Sequence, residues 1–465
     1  MAGKLRTKPR FHSILKTSPQ ENPSFRLDFR IIENDGSLRI SSKFMITDPY
    51  SCSKEMGRQQ GNLILLLMSL SSMLVCGLCS HVVQDETEYV IMFDAGSTKT
   101  KLEIYKIDVA SPPLEVTDVH ELDPSPSKAK PGIADLDPSE IEAYLRPLLD
   151  SAMKTIPAEK HSSTHLFFLA TGGMRLLDED KSKAIMDQVK GVLNDKAKCP
   201  FMFDPEDARV ISGALEGIYA WMSVNFLEGN FIPGKSHHTY GILDLGGASH
   251  QNAVQFWRKK DDLYSINVGG KKFNLFARSY LGYGLNEARK TYLERLPKKP
   301  FKNGVIKSPC HHKGFNETTD ISGELFTVVG ITNVPACRRI IEKTFFCKKG
   351  DCPFHDQPKL RGNYFGFAGI YYAATTIGIL CSDCTKPLSP AMFDKGSRDF
   401  CAKTLESINS NPYAKDHCFG GNFVFELLTH GYGLSAHKTI MVGNRLEGFS
   451  LGWTLGAALF NSELL

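Results

Sequence analysis

The sequence predicts an α/β protein in which two similar lobes face one cleft. Two stretches carry this prediction, because each is an apolar strand pattern that ends at an acid and a glycine turn. The first is Tyr89 to Phe93 followed by Asp94-Ala95-Gly96-Ser97-Thr98-Lys99-Thr100, and the second is Tyr240 to Leu243 followed by Asp244-Leu245-Gly246-Gly247-Ala248-Ser249-His250-Gln251. Backbone N–H groups at such turns can approach a phosphate closely, so the two copies indicate two related phosphate turns.

Length and composition agree with two lobes. With 465 residues, 42% of them apolar, the chain exceeds one ordinary domain and can bury a large core. The net charge of +4 is contributed largely by residues 1–60, and the remainder is close to neutral. The body therefore lacks the basic surface that nucleic acid binding requires.

The N-terminal region predicts delivery into the secretory pathway. Residues 1–60 are basic and aperiodic, as in a disordered leader, and residues 61–81 contain the apolar run Leu63 to Cys79. If translation starts at Met56, this run is a cleaved signal peptide; if it starts at Met1, it is a signal anchor that attaches a type II protein to the membrane. Both interpretations place the body in the lumen or outside the cell.

The cysteines indicate an oxidising compartment. The chain has twelve, nine of them after residue 190. The sequon Asn316-Glu317-Thr318 lies among them and predicts glycosylation at Asn316. The surrounding region, 297–356, is poorly periodic, so we expect disulfide-linked loops there, with His311 and His312 solvated.

Three further elements follow in order along the chain. Asp137-Pro138-Ser139-Glu140 starts a helix with a capping acid and a proline at its first position. Leu166 to Leu169 is a buried strand that runs into Ala170-Thr171-Gly172-Gly173-Met174-Arg175, and ligands bind at such strand ends in open α/β sheets. Ile211 to Gly217 leads into another helix and places Glu216 near its start.

Five segments resemble the conserved regions of the ecto-apyrases, the nucleoside triphosphate diphosphohydrolases. They are DAGSTKT, ATGGMRLL, GALEGIYAW, DLGGASHQ and GWTLG, and the resemblance covers about residues 86–462. It implies two RNase-H-like lobes of the actin, sugar-kinase and heat-shock-ATPase type, with residues 86–212 plus 441–465 in lobe I and 213–440 in lobe II. It also implies hydrolysis of the terminal phosphates of nucleoside tri- and diphosphates, with Ca²⁺ or Mg²⁺.

The resemblance assigns roles to residues of these segments. Asp94 and Asp244 would hold the metal through its water shell, and Glu216 would be the base that activates the attacking water, positioned with the help of Ser249 and Gln251. Alone, each acid also fits a turn cap, and Glu216 fits a favourable place at a helix N-terminus. The predicted phosphate contacts are Gly96, Ser97, Thr98, Lys99, Thr171, Gly172, Gly246, Gly247 and Ala248.

The resemblance also predicts a base contact and a set of disulfides. Phe423 would stack on the nucleobase, with Tyr364 or Tyr371 opposite. The predicted disulfides are Cys310–Cys337, Cys347–Cys352 and Cys401–Cys418, and Cys381 with Cys384 is open as a short added bridge. Several positions depart from the family pattern, among them Lys99, which replaces a small residue or His, and His250, which replaces a Thr.

Other functions on the same fold remain as alternatives. They are an exopolyphosphatase-like phosphatase, a sugar kinase, and a non-catalytic nucleotide-binding module. Glu216 distinguishes the last from an enzyme, because binding alone needs no water-activating carboxylate. The preferred nucleotide and the oligomeric state do not follow from the sequence.

Overall fold

The computed structural model describes residues 30–34, 37–41, 86–110, 115–232, 238–256, 263–296, 304–346, 353–355, 357–408 and 413–464. The chain divides into two units, Met1–Gln60 and Gly61–Leu465. In the first unit, strands β1 (Arg30–Asn34) and β2 (Ser37–Ser41) pair antiparallel. Asp35-Gly36, which separates them in the sequence, is typical of a tight hairpin. Because most of residues 1–60 lie outside the described residues, the disordered leader stays a prediction.

The predicted signal segment, 61–81, lies outside the described residues. Within the part of the chain that the structure describes, no helix combines the length and the apolar character needed to cross a bilayer.

The first large sheet of the second unit is built by residues 86–210. Its strands are β3 (Glu86–Ala95), β4 (Thr100–Ala110), β5 (Glu115–Leu122), β6 (Lys128–Ala129), β7 (His165–Ala170) and β8 (Ala208–Val210). The order is β5-β4-β3-β7-β8, and β6 pairs with β4. Strands β3, β7 and β8 run parallel, so their carboxyl ends meet at one edge of the sheet.

Three helices follow strands of this sheet: α1 (Ile141–Thr155), α2 (Gly172–Arg175) and α3 (Glu179–Asn194). The predicted start of α1 is confirmed, because Asp137 and Glu140 form a capping box before it. Its apolar stripe, Leu145, Leu148 and Leu149, is fully buried in the core that includes Ile91 and Phe93 of β3. This packing holds β3, the strand that ends at the turn containing Asp94, in place.

The second large sheet has seven strands. They are β9 (Gly241–Leu245), β10 (Ser249–Gln255), β11 (Tyr264–Val268), β12 (Lys271–Leu281), β16 (Tyr364–Ala368), β17 (Lys386–Leu388) and β18 (Ile440–Val442). The order is β11-β12-β10-β9-β16-β18-β17. As in the first sheet, a group of antiparallel strands, here β9 to β12, adjoins a parallel neighbour, β16.

The remaining elements surround the second sheet or close the chain. The smaller sheets contain β13 (Val305–Ser308), β14 (Asn316–Ile321) and β15 (Glu324–Gly330), and β19 (Arg445–Leu446) with β20 (Phe449–Ser450). The helices are α4 (Gly213–Leu227), α5 (Leu285–Glu294), α6 (Val334–Phe345), α7 (Gly369–Thr376), α8 (Pro390–Cys401), α9 (Leu405–Ile408), α10 (His417–Glu426) and α11 (Thr454–Asn461), with a π-helical turn at Leu427–Gly431.

Helices α4 and α11 join the two sheets. The N–H of Gly456 in α11 donates to Oγ of Ser223 in α4 over 2.8 Å, and the hydroxyls of Thr454 and Tyr105 of β4 lie 3.0 Å apart. Helix α4 packs on the second sheet through buried residues such as Trp221, in a core that also holds Val90 of β3. The predicted α/β class with two lobes is therefore confirmed.

The lobe boundaries, 86–212 plus 441–465 and 213–440, stay predictions. Strand β18 places Met441 and Val442 in the second sheet, two residues beyond the predicted end of lobe II.

The cysteine-rich region forms the disulfides Cys310–Cys337, Cys401–Cys418 and Cys381–Cys384. Cys347 and Cys352 lie outside the described residues. The expectation that His311 and His312 are solvated is wrong, because both are fully buried. Nδ1 of His311 shares a hydrogen bond with the Ser308 hydroxyl, and Nδ1 of His312 donates to the carbonyl of Lys403. Asn316 is exposed at the start of β14, and its glycosylation stays a prediction.

Candidate active site

Three turns meet where the two large sheets face each other. They follow β3, β7 and β9, each at the carboxyl end of its strand. The N–H of Thr171 donates to the carbonyl of Ala95 over 3.1 Å, which joins the first turn to the second. A Cβ on Gly247 would lie 2.6 Å from Oγ of Ser97, so the turns of the two sheets are in contact and only glycine leaves room for that contact.

The turns after β3 and β9 have the same internal hydrogen bond. The N–H of Gly96 donates to the carbonyl of Lys99 over 3.0 Å, and the N–H of Gly246 donates to that of Ser249 over 2.9 Å. The N–H groups of Gly96 and Gly246, two residues predicted to contact phosphate, are therefore already hydrogen-bonded within the turns. Four other N–H groups of these turns donate to no acceptor among the described residues: those of Ser97, Thr98, Gly247 and Ala248.

The other predicted phosphate contacts lie at the same junction. Thr171, which is 5% exposed, and Gly172 begin the turn after β7. Lys99 is half-buried and ends the turn after β3. The structure therefore brings the predicted phosphate residues of both sheets together.

Glu216 lies in the first turn of α4 and is 6% exposed. The helix begins there because the Ser212 hydroxyl accepts a hydrogen bond from the N–H of Leu215, as a capping residue does. One carboxylate oxygen, Oε2, accepts hydrogen bonds from Nη2 of Arg175 at 2.8 Å and from Nε2 of Gln251 at 3.1 Å. The carboxylate is thereby fixed in one orientation.

Arg175 is a site residue that the sequence argument missed. Its Nη2 also donates to Oγ of Ser249 over 2.9 Å, and its Nη1 donates to the carbonyl of Ile211 over 3.0 Å. Helix α2 is a single turn, so the side chain of its last residue reaches back to the strand ends. The sequence did contain one indication of this role, because Arg175 lies only three residues after Gly172 in the predicted binding turn.

Ser249 and Gln251 lie beside Glu216 on β10 and are almost fully buried. Nε2 of Gln251 lies 2.7 Å from Oγ of Ser249 and 3.1 Å from Oγ of Ser279. Its Oε1 is buried and accepts no hydrogen bond from any described residue. A buried acceptor of this kind is suited to accept a hydrogen bond from water.

The three carboxylates of the site repel one another. Burial raises the pKa of Asp94 to about 7, with further contributions from the charges of Glu103 and Glu216. Burial also raises the pKa of Asp244 well above its usual value, and Glu216 and Asp94 add to that shift. The pKa of Glu216 is raised by burial, although Arg175 opposes the shift.

A divalent cation fits this arrangement. No described residue donates a hydrogen bond or forms an ion pair with the carboxylate of Asp94 or Asp244, and hard carboxylate oxygens suit Ca²⁺ or Mg²⁺. Within the described residues, three acidic or histidine ligand atoms come within 4.8 Å only at Asp108, Asp118 and His120 on the exposed side of β4 and β5. The two site acids therefore fit a cation that keeps its water shell better than one held by direct ligands alone.

The structure does not bring Phe423 to this site. Its ring has no exposed surface and packs against Phe345, Phe346 and Phe419 in the core of the second sheet. Tyr364 and Tyr371 are also buried, at 2% and 7% exposure. In this arrangement Phe423 is a packing residue, and its predicted contact with a base is not supported.

His250 is fully buried, and both of its ring nitrogens have partners. Nδ1 lies 2.8 Å from the carbonyl of Asp244, so it carries the proton, and Nε2 accepts from the hydroxyl of Tyr432 at 2.6 Å. Burial lowers the pKa of His250 to about 4, which keeps the ring neutral. The departure from the family pattern thus supports the turn that carries Asp244.

Comparisons with known proteins cover most of the chain and agree with the fold. Residues 80–464 match the model of the GDA1/CD39 (nucleoside phosphatase) family. The chain is 31% identical to ectonucleoside triphosphate diphosphohydrolase 8 of Gallus gallus over 415 residues, covering 80% of this chain and 82% of that protein. It is 28% identical to ectonucleoside triphosphate diphosphohydrolase 1 of Bos taurus, covering 84% and 85% of the two chains.

One further relative and one solved structure extend the comparison. The Golgi apyrase of Saccharomyces cerevisiae is 28% identical, covering 79% of this chain and 69% of its own length. The crystal structure of nucleoside triphosphate hydrolases from Neospora caninum aligns with a TM-score of 0.64 at 14% identity, covering 86% of this chain and 98% of that one. At 14% identity, the likeness to the Neospora caninum structure shows a common fold.

Proposed function

Because the chain belongs to the GDA1/CD39 (nucleoside phosphatase) family, we propose that it removes terminal phosphates from nucleoside tri- and diphosphates by attack of a water molecule that Glu216 activates. The predicted family and the predicted enzyme class, an apyrase-type hydrolase, are confirmed. The observation that carries the mechanism is the Glu216 carboxylate, which Arg175 and Gln251 hold at the junction of the three turns.

Glu216 acts as the general base. It takes a proton from water, the water oxygen bonds to the terminal phosphorus, and the bond from that phosphorus to the bridging oxygen breaks. The products are orthophosphate and the nucleotide shortened by one phosphate. The Ser249 hydroxyl and Oε1 of Gln251 orient the water, and Arg175 positions the base.

The turns bind the phosphates through their free N–H groups. Those of Ser97, Thr98, Gly247 and Ala248 surround the junction, and the hydroxyls of Ser97, Thr98 and Thr171 add further donors. Donors fixed in advance stabilise the charge that develops on the transferred phosphoryl oxygens.

Asp94 and Asp244 would hold a divalent cation, Ca²⁺ or Mg²⁺, through its water shell. Nucleotidases of this family depend on divalent cations in general. Bound there, the cation would neutralise phosphate charge and relieve the repulsion between the two buried carboxylates.

The enzyme acts outside the cell or in the lumen of the secretory pathway. Three disulfides and an exposed sequon asparagine support this location, and the relatives include both ecto-enzymes and a Golgi apyrase. The segment 61–81 would anchor the protein if it is not cleaved.

One assay tests the activity and the mechanism together. Phosphate release from ATP, ADP, UDP, GDP and inorganic polyphosphate is measured with Ca²⁺, Mg²⁺ or EDTA. We expect nucleotide hydrolysis that EDTA abolishes and that Glu216→Ala lowers about 10²- to 10⁴-fold, whereas Glu159→Ala, an exposed acid, has no effect. Nucleotide hydrolysis that survives both EDTA and Glu216→Ala contradicts the mechanism, and a preference for polyphosphate favours the exopolyphosphatase alternative.

A further inference from the structure

Four lysines lie on one face of the first sheet, beside the turn that contains Ser97 and Thr98. Strands β4 and β6 pair Thr100 with Ala129 and Lys101 with Lys128. Continuing this antiparallel register by one residue sets Lys130 opposite Lys99. Residues directly opposite each other share a face, and residues two apart on a strand share it too. We call Lys99, Lys101, Lys128 and Lys130 the lysine face.

The lysine face carries excess positive charge. Lys101 forms an ion pair with Glu103, which neutralises it. The side chains of Lys99, Lys128 and Lys130 form no hydrogen bond or ion pair with any described residue. Like charges placed directly opposite each other destabilise a sheet, so this arrangement has a cost unless an anion binds it. Burial and the neighbouring lysines, chiefly Lys128, lower the pKa of Lys99.

The segment that carries Lys128 and Lys130 is held firmly against the turn. The hydroxyl of Tyr144 donates to the carbonyls of Ala129 and Pro131 and accepts from the N–H of Thr100 at 3.1 Å. A Cβ on Gly132 would lie 2.3 Å from the carbonyl oxygen of Ser97, so the two backbones are in contact. The backbone that carries these lysines is therefore fixed relative to the turn.

The lysine face lies on the same side of the sheet as the Asp94 carboxylate. Asp94 of β3 is paired with Lys101 of β4, and Lys101 is paired in turn with Lys128 of β6. Because neighbouring strands lie about 4.8 Å apart, the face extends about 10 Å sideways from Asp94. An anion that continues from the Asp94 turn would pass over Lys99 and then reach Lys130 and Lys128.

We propose that Lys99, Lys128 and Lys130 form a subsite for the phosphate chain of the substrate, beyond the phosphate bound at the Asp94 turn, and that this subsite makes the enzyme favour triphosphates over diphosphates. The proposal rests on the proposed nucleotidase function. A longer phosphate chain carries more negative charge and reaches more of the lysines, whereas a diphosphate ends near Lys99.

The test removes the two exposed lysines of the subsite in the full-length protein. For Lys128→Gln/Lys130→Gln we expect kcat/KM for ATP to fall about 10-fold and kcat/KM for ADP to change less than about twofold. The inhibition constant of inorganic tripolyphosphate, read from nucleotide products by chromatography, should rise about 10-fold, and that of orthophosphate should stay unchanged. The matched control is Lys154→Gln/Lys183→Gln, which removes two exposed lysines of α1 and α3.

Two outcomes overturn the subsite. In the first, the ratio of kcat/KM for ATP to kcat/KM for ADP and the inhibition constant of tripolyphosphate are both unchanged in Lys128→Gln/Lys130→Gln. In the second, the control variant changes both quantities by the same amount. Loss of the proposed function gives a different result, because then the wild-type protein hydrolyses neither nucleotide.

Discussion

Nη2 of Arg175 lies 2.8 Å from Oε2 of Glu216, and both side chains are shielded, at 15% and 9% exposure. The contact joins the turn after β7 to the first turn of α4. Because Nη2 also donates to Ser249, one guanidinium orients both the proposed base and the residue proposed to hold its water. It also stabilises the carboxylate as an anion, since its charge opposes the effect of burial on the pKa of Glu216.

Arg175→Met should therefore shift the pH profile as well as lower the rate. Without the guanidinium, the pKa of Glu216 rises further, and the base is protonated up to a higher pH. We expect the acidic limb of the kcat/KM profile to move to higher pH and the maximal rate to fall about 10²-fold through lost positioning. Phosphate release measured across the pH range checks both effects.

The control for this variant is Arg146→Met, which removes an exposed arginine that pairs with Asp150 on α1. Its profile should match that of the wild type. If Arg175→Met lowers the rate with no movement of the acidic limb, Arg175 does not set the pKa of Glu216.

The sequence was sufficient to predict the turns and the place of Glu216 at a helix start but not the contacts between distant residues. Asp94, Asp244 and Glu216 each follow a local pattern of strand, turn or helix start, and such patterns persist in the fold. Arg175 meets Glu216 across 41 residues of sequence. Only the packing of the two sheets brings these two side chains together, so no local pattern indicates the pair.

Burial produced the other differences. The local sequence around Phe423, His311 and His312 allows each of them to be exposed. All three are nevertheless fully buried in the structure. A histidine has an apolar body and a polar edge, and a phenylalanine can pack in a core or line a binding surface, so the exposure of each is decided by neighbours far along the chain.

Gly132→Ala should damage the site without affecting distant parts of the fold. Its backbone angles, φ −62° and ψ 145°, suit alanine, but the new Cβ would meet the Ser97 carbonyl at 2.3 Å. The phosphate turn must then move. We expect kcat/KM to fall about 10²-fold and the free energy of unfolding to fall by about 1–3 kcal/mol, measured by phosphate release and urea denaturation.

Gly191→Ala is the matched control, because a Cβ there meets nothing within 4 Å on the exposed side of α3. It should raise the free energy of unfolding by about 0.5–1 kcal/mol through helix propensity and leave activity unchanged. Wild-type activity in Gly132→Ala would show that the turn tolerates the displacement.

Tyr432→Phe should destabilise the protein through His250. The hydroxyl of Tyr432 is the donor to Nε2 of His250, and both residues are buried. Its removal leaves a buried acceptor without a partner, which should lower the free energy of unfolding by about 1–3 kcal/mol in urea denaturation. Tyr372→Phe, at a residue that is 49% exposed, should have little effect. Equal stabilities for the two variants would contradict the role of the His250 contact.

His311 should make stability depend on pH. It is fully buried, its Nδ1 lies 2.6 Å from the Ser308 hydroxyl, and burial with the nearby charge of Arg289 lowers its pKa well below 6.5. The unfolded chain therefore binds a proton near pH 6.5 that the folded chain does not, so the free energy of unfolding falls as pH drops below that value. His311→Asn should weaken this fall between pH 7.5 and 5.5 in urea denaturation, whereas His437→Asn, at an exposed histidine, should keep the wild-type slope. A wild-type slope in His311→Asn would show that His311 does not produce the pH dependence.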